Sequence, residues 1–213
     1  MSKELFDAIL NGDMKGAVSA AEKALAEKTD PLELVQKTMI PAMDEVGRRF
    51  EREEYFIPEM LIAARAMKAS LEKVRPALAA SGAQPAGRVI IGTVKGDLHD
   101  IGKNVVASML EGGGFEVHDV GVDVSPEKFA SAAAEEKTDF VCLSALLTVT
   151  MPAMKSTVDA LRQAGLRGKV KILIGGAPVT QQYADQIGAD GYGENAAAAV
   201  TLARRLLKKP AVS

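Results

Sequence analysis

The sequence predicts two parts: an N-terminal all-α four-helix bundle over residues 1–80 and a C-terminal doubly wound α/β domain over 88–213, joined by a linker at 81–87. The second part is expected to hold a five-stranded parallel sheet. Three observations carry this. Apolar residues before residue 80 recur at helical spacing. After residue 87, short β-branched runs alternate with helical stretches, the pattern of βαβ units. Between them, Leu78-Ala79-Ala80-Ser81-Gly82-Ala83-Gln84-Pro85-Ala86-Gly87 is made mostly of small, uncharged residues and ends in Pro and Gly, which reads as a connection.

The bundle follows element by element. Leu5, Phe6, Ile9 and Leu10 mark a first short helix with Ser2 as its N-cap. Asn11-Gly12-Asp13 separates it from a second, marked by Ala17, Val18, Ala21 and Leu25. Asp30 caps a third: Pro31 takes the first helical position, Glu33 the capping-box position, and Met39, Met43, Val46 and Phe50 share one face. After Pro58, Met60, Ala64, Met67, Leu71, Val74 and Leu78 repeat the stepping over five turns. Short connections make an antiparallel bundle the expected arrangement.

In the second part the expected strands are Arg88–Val94, Phe115–Val120, Phe140–Ser144, Lys171–Ile174 and a weaker one near Asp190–Tyr192. The helices that follow them are Ile101–Glu111, Ser125–Glu136, Met151–Ala164, Gln181–Ile187 and Ala196–Lys208. This is a Rossmann- or flavodoxin-like order, and such sheets bind ligands outside the carboxyl ends of their strands.

Composition narrows the function classes. With 47% hydrophobic residues, 4% aromatic, no tryptophan and nine methionines among 213 residues, the core must be aliphatic. A net charge of −2 gives no electrostatic case for nucleic acid. One cysteine, Cys142, excludes a disulfide framework and a cysteine-rich metal site. No apolar run reaches the ~20 residues of a membrane span, and no signal peptide opens the chain. A cytoplasmic protein without membrane contact is expected.

The segment after the first strand, Lys95-Gly96-Asp97-Leu98-His99-Asp100-Ile101-Gly102-Lys103-Asn104, carries the chemistry. It sets a histidine at the ligand edge, with a carboxylate two residues before it and a glycine three after. Asp97 can take the proton on one ring nitrogen and leave the other lone pair for a metal. Gly102 lets a large group approach the start of the next helix. A capping loop with a surface histidine is the plain alternative for these residues alone.

Asp97-x-His99-x-x-Gly102 resembles the signature of domains that bind cobalamin with its own nucleotide base displaced. Ser144-Ala145-Leu146 after strand three and Gly175-Gly176 after strand four match two further elements of that family. The resemblance implies that His99 is the lower ligand of cobalt (base-off/His-on) and Asp97 its hydrogen-bonded partner. It also implies that Thr150 completes a relay that couples release of His99 to proton movement. Thr150 equally reads as the cap of the helix at Met151, and one hydroxyl can serve both. Gly96, Leu98, Asp100 and Leu146 come with the motif as corrinoid contacts, Ser144 and Thr148 as partners of the displaced base, and Gly175 and Gly176 as the lining of a slot for the nucleotide tail. A bulky side chain at either glycine is expected to block binding and leave the apo fold soluble. Gly193-Glu194-Asn195-Ala196 aligns loosely with another base contact at Ala196, and a plain strand-to-helix turn is the simpler reading. His118 and Cys142 read as structural, and Lys95 and Lys103 as solvated.

The first part is similar to the helical cap of methionine synthase, through Val46-Gly47-Arg48-Arg49-Phe50, Glu54-Tyr55-Phe56-Ile57-Pro58 and Ala64-Arg65-Ala66-Met67. In that cap a Phe and an aliphatic residue seven positions later cover the upper face of the corrin; Phe50 and Ile57 have the spacing, with Ile where the family enzyme has Leu. Cap plus cobalamin domain is the organisation of corrinoid proteins in multicomponent methyltransferase systems. The implied function is a methyl carrier: a donor-specific methyltransferase loads Co(I), and a second one, of tetrahydrofolate or coenzyme M type, unloads methyl-Co(III). A reductive activase would rescue Co(II). The chain would not be catalytic alone. The B12-binding subunit of a mutase lacks such a cap, and a cobalamin-dependent sensor would need an output module.

Overall fold

A computed structural model describes residues 2–207, so the expected helix end at Lys208 and domain end at 213 lie outside the described residues. The chain forms two compact units. One runs to Ala86 and takes in Ser108–Phe115; the other takes Gly87–Ala107 and the described chain from Glu116 onward.

In the helical unit, α1 (Lys3–Leu10) starts where the Ser2 hydroxyl accepts the Leu5 N–H, and α2 (Met14–Ala26) where Asp13 accepts the Gly16 N–H. Asp30 caps α3 (Pro31–Leu34) by accepting the Glu33 N–H at 2.8 Å. One uninterrupted α-helix was expected from here. Instead a π-helical turn at Val35–Met39 leads into α4 (Ile40–Glu51). The cause is Pro41, which has no N–H for the Lys37 carbonyl and would crowd it; a wider turn relieves both. The last helix, α5 (Ile57–Ser81), opens with the Glu59 carboxylate accepting the Phe56 N–H at 2.9 Å. It runs through Ser81 to a left-handed Gly82 (φ +73°), so the first expected linker residue is helical. Leu5, Ile9, Met39, Met43, Val46, Met60, Met67 and Val74 form the core, with unbranched methionines filling irregular gaps. The buried face of α2 is alanine only (Ala17, Ala20, Ala21, Ala24), and α2 packs on α5.

The second unit is a five-stranded, all-parallel sheet of β1 (Arg88–Thr93), β2 (Glu116–Asp119), β3 (Phe140–Ser144), β4 (Lys171–Gly175) and β5 (Gly191–Tyr192), in the order β2-β1-β3-β4-β5. Helices α6 (Ile101–Gly112), α7 (Pro126–Glu135), α8 (Pro152–Gln163), α9 (Gln181–Ile187) and α10 (Ala196–Leu207) alternate with the strands. Ile90, Val141, Leu143, Ile172, Ile174, Phe129, Met154 and Leu161 belong to its core. The sequence runs on in opposite directions from β1, so the switch point lies between β1 and β3. Register brings Thr93 beside Ser144 and Ser144 beside Gly175, which lines up the ends of three strands at one edge. Among the described residues no helix is long and apolar enough to cross a membrane.

Candidate functional site

The loops after β1 and β3 flank that switch point. The first opens with a turn, Val94-Lys95-Gly96-Asp97, closed by the Asp97 N–H donating to the Val94 carbonyl at 3.1 Å. Gly96 at its third position has φ +84°, the type II geometry that favours glycine. The turn carries Asp97 into the protein, where it is 0% exposed. One carboxylate oxygen accepts from the His99 backbone N–H at 3.0 Å and from its ring Nδ1 at 2.8 Å. The other accepts from the Leu146 N–H at 2.8 Å, the Leu147 N–H at 3.3 Å and the Thr150 hydroxyl at 2.7 Å. The Thr93 hydroxyl donates to the His99 carbonyl at 2.9 Å. One buried carboxylate thus ties together both loops of the switch point.

Burial alone pushes the Asp97 carboxyl up. The hydrogen bonds donated to it, from the His99 backbone N–H, the Thr150 hydroxyl, the Leu146 N–H and the His99 ring, outweigh that and hold it well below the usual carboxylate range. Asp97 is therefore an anion and only accepts. The Nδ1 facing it must carry a proton, which in a neutral imidazole leaves the lone pair on Nε2. The His99 side chain is about half exposed, so that lone pair is available to a metal.

The loops at the His99 edge carry exposed apolar side chains. Leu98 (70% exposed), Ile101 (72%), Val122, Leu146, Leu147 and Val149 (80%) all stand exposed on the loops after β1, β2 and β3 or at the start of α6. An exposed cluster of this kind marks a binding face. No atom lies within 4 Å of where a Cβ on Gly102 would sit, so the first turn of α6 can be approached closely.

A B12 binding domain model matches residues 87–201, and a second B12 binding domain model matches residues 1–75. The chain belongs to the B12-binding family. It is 44% identical over 206 residues to dimethylamine corrinoid protein 1 of Methanosarcina acetivorans, covering 96% of each chain. It is also 44% identical over 203 residues to trimethylamine corrinoid protein 1 of the same organism, covering 94% of each. A cobalamin-binding protein from Desulfitobacterium hafniense superposes with a TM-score of 0.79 at 35% identity, over 94% of this chain and 96% of that one. In the methanol:cobalamin methyltransferase complex of Methanosarcina barkeri the matching chain gives a TM-score of 0.87 at 30% identity, over 98% of this chain and 80% of that one.

The cofactor of the family is cobalamin, and the residues present fit it. A lone pair on Nε2, exposed apolar side chains on the loops of the same edge and an open helix start suit a flat macrocycle whose metal takes one ligand from the protein. Of the expected residues, the structure joins Asp97, His99 and Thr150 by hydrogen bonds and sets Gly96, Leu98, Gly102 and Leu146 around them. Asp100 pairs with Asn104 at 3.1 Å on the first turn of α6. Thr150 does not cap the next helix with its side chain; the cap position is Met151, and the Thr150 hydroxyl donates to Asp97. Thr148 is exposed and Ser144 half-buried at the end of β3.

Expectations change at Gly176 and Lys103, and the structure places the remaining residues as follows. At Gly176 φ is +131° and a Cβ would lie 1.8 Å from the Ala145 carbonyl oxygen; at Gly175 it would lie 3.1 Å from the Gly193 oxygen. Protein backbone occupies the Cβ direction at both, so a bulky residue at Gly176 breaks the apo fold and cannot serve as a simple plug. Lys103 is buried: α6 turns it inward, where it pairs with Asp119 and reaches the Asn104 side-chain oxygen at 2.8 Å. Asn195 caps α10 through the Ala198 N–H at 2.8 Å, which makes 193–196 a strand-to-helix turn with Ala196 buried. His118 lies exposed on β2 near Glu136 at 3.6 Å. Cys142 is buried, and burial pushes its thiol up to about 12. In the helical unit Phe50 is half-buried and Ile57 46% exposed. Ile101 and Val149 were missed; as exposed apolar residues at the ligand edge they carry no spacing signal.

Proposed function

We propose that this chain is the methyl-carrying corrinoid subunit of a methyltransferase system whose donors are methylated amines. The observation that carries the reading is the buried, ionised Asp97 holding the His99 Nδ1–H, which presents Nε2 at the family's binding edge. The dimethylamine and trimethylamine corrinoid proteins, matched along nearly their whole length, support the donor class. The methanol:cobalamin methyltransferase complex supports a partner enzyme that docks on the corrinoid chain.

When bound, cobalamin supplies a cobalt that accepts a methyl group in its reduced state and yields it to a second enzyme. The protein's part is to change the lower ligand. His99 would hold the metal through Nε2; with that nitrogen protonated instead, the Asp97 anion would stabilise the imidazolium, and the Thr150 hydroxyl donates to that anion. The exposed apolar side chains of these loops would shield a bound macrocycle from water. Residues 1–80 would form the cap module, joined through 81–87 to the cobalamin domain, with Phe50 and Ile57 as its corrinoid contacts. Both are incompletely buried within the helical unit. Donor and acceptor methyltransferases and a reductive activase complete the cytoplasmic system. The test is to load the protein with hydroxocobalamin, reduce it, and add trimethylamine or dimethylamine with the corresponding methyltransferase. Methylation of the bound cobalamin, read by absorbance, is expected with one of the amines; methylation only with methanol would reject the donor class.

A further inference from the structure

Four described residues other than glycine have positive φ: Lys28, Glu53, Asp123 and Lys137. Three of them lie one residue past a helix C-cap, after Glu27, Arg52 and Glu136, where a left-handed residue is the common way to end a helix. Asp123 has no such reason. It sits in the strand-to-helix loop after β2, with φ +50°. A non-glycine residue held in that region away from a helix end needs contacts that over-determine it.

Those contacts all go to the turn that carries Asp97. The Asp123 carboxylate accepts the Gly96 N–H at 2.7 Å, and the Asp123 N–H donates to the Asp97 carbonyl at 3.0 Å. The N–H of Gly96 belongs to the central peptide of the turn, which finds no partner inside a β-turn and whose orientation separates type II from type I. On either side, the Val124 N–H donates to the Thr93 carbonyl at 3.0 Å and the Thr93 N–H to the Gly121 carbonyl at 3.0 Å, so the whole loop is laced to the end of β1.

We propose that Asp123 is the positioning residue of the site: by clamping the 94–97 turn at two points it holds Asp97 where the carboxylate meets the His99 Nδ1–H. The role rests on the corrinoid reading for its purpose, but the clamp itself is a property of the apoprotein. Asn keeps a side-chain oxygen acceptor and tolerates left-handed φ, whereas Ala does neither. The test compares full-length Asp123→Asn and Asp123→Ala with the parent. In the apoprotein, 15N NMR of the His99 ring should show the Nδ1–H tautomer dominant in the parent and in Asp123→Asn, and mixed tautomers in Asp123→Ala. Affinity for hydroxocobalamin should fall about tenfold in Asp123→Ala, the low end for outer-shell losses, and return in Asp123→Asn. Thermal unfolding of each apoprotein checks that the variants are folded. A folded Asp123→Ala with the parent's tautomer, or an Asp123→Asn that shifts as Asp123→Ala does, overturns the proposal. A tautomer shift in apoproteins that bind no cobalamin at all would instead overturn the corrinoid reading and leave the clamp standing.

Discussion

Replacing Asp97 by Asn changes one atom and should cost far more than a surface substitution. The carboxylate accepts on both oxygens, from two donors of His99 on one side and from Leu146, Leu147 and Thr150 on the other. An amide has one accepting atom, so one side must face its NH2 group. If the oxygen stays with Leu146 and Thr150, the His99 backbone N–H is stranded and the ring must accept at Nδ1, which puts the proton on Nε2 and removes the metal's lone pair. If the oxygen stays with His99, the Leu146 N–H is stranded instead. Either way a part-buried backbone donor loses its partner, at about 1 kcal/mol, and the two or three surviving bonds lose their charge assistance, about 1 kcal/mol each. The expected loss is therefore about 3–4 kcal/mol, or roughly 6–16 °C in the melting temperature for a chain of this size. Cobalamin affinity should drop ~10–100-fold. Differential scanning fluorimetry of the apoprotein and titration with hydroxocobalamin measure both. An Asp97→Asn protein that melts with the parent would refute the reasoning, because it would mean that the five donors do not depend on a carboxylate.

Three further outcomes are expected. His99→Ala should leave Asp97 its backbone donor and the fold intact, within about 1–2 kcal/mol, while the Co(II) EPR signal of the loaded protein loses its nitrogen superhyperfine lines; lines that persist would mean another residue ligates the metal. Gly176→Leu should fail to give soluble protein, since its Cβ meets the Ala145 carbonyl oxygen at 1.8 Å, while Gly175→Ala, at 3.1 Å from the Gly193 oxygen, should fold; soluble yield and melting temperature check the pair, and a stable Gly176→Leu would contradict the geometry. The double substitution Phe50→Ala and Ile57→Ala should bind cobalamin as the parent does but let its reduced cobalt oxidise faster in stopped-flow measurements. With Ile57 46% exposed, truncating that side chain forfeits only part of the ~1.5–3 kcal/mol of a fully buried one, so unchanged oxidation rates in this folded protein would assign both residues to the bundle alone.

What could be read from the sequence, and what could not, follows from how each feature is encoded. Strand-helix alternation and methionine stepping are side-chain patterns, and the sheet and the bundle core follow them. The π turn at Val35–Met39 was not read, although Pro41 lies ten residues past Pro31 inside the continuous helical pattern. Asp97 and His99 were visible because their spacing is local. The residues that hold them were not. Leu146 stood out as a small-motif neighbour of Ser144, yet what it gives Asp97 is a backbone N–H that almost any residue could donate from that position. Asp123 contributes one backbone and one side-chain group to a loop 27 residues earlier in the chain, with no periodicity to betray it. Gly175 and Gly176 were noticed for their absent side chains, and the Cβ direction at each faces a backbone oxygen, that of Gly193 and of Ala145. In this fold the ligand edge is built largely from backbone groups of neighbouring loops, and backbone groups leave their mark on sequence only where they demand a glycine or an asparagine. The chemistry of the site is thus spelled in side chains, while its precision resides in contacts that side-chain patterns do not record.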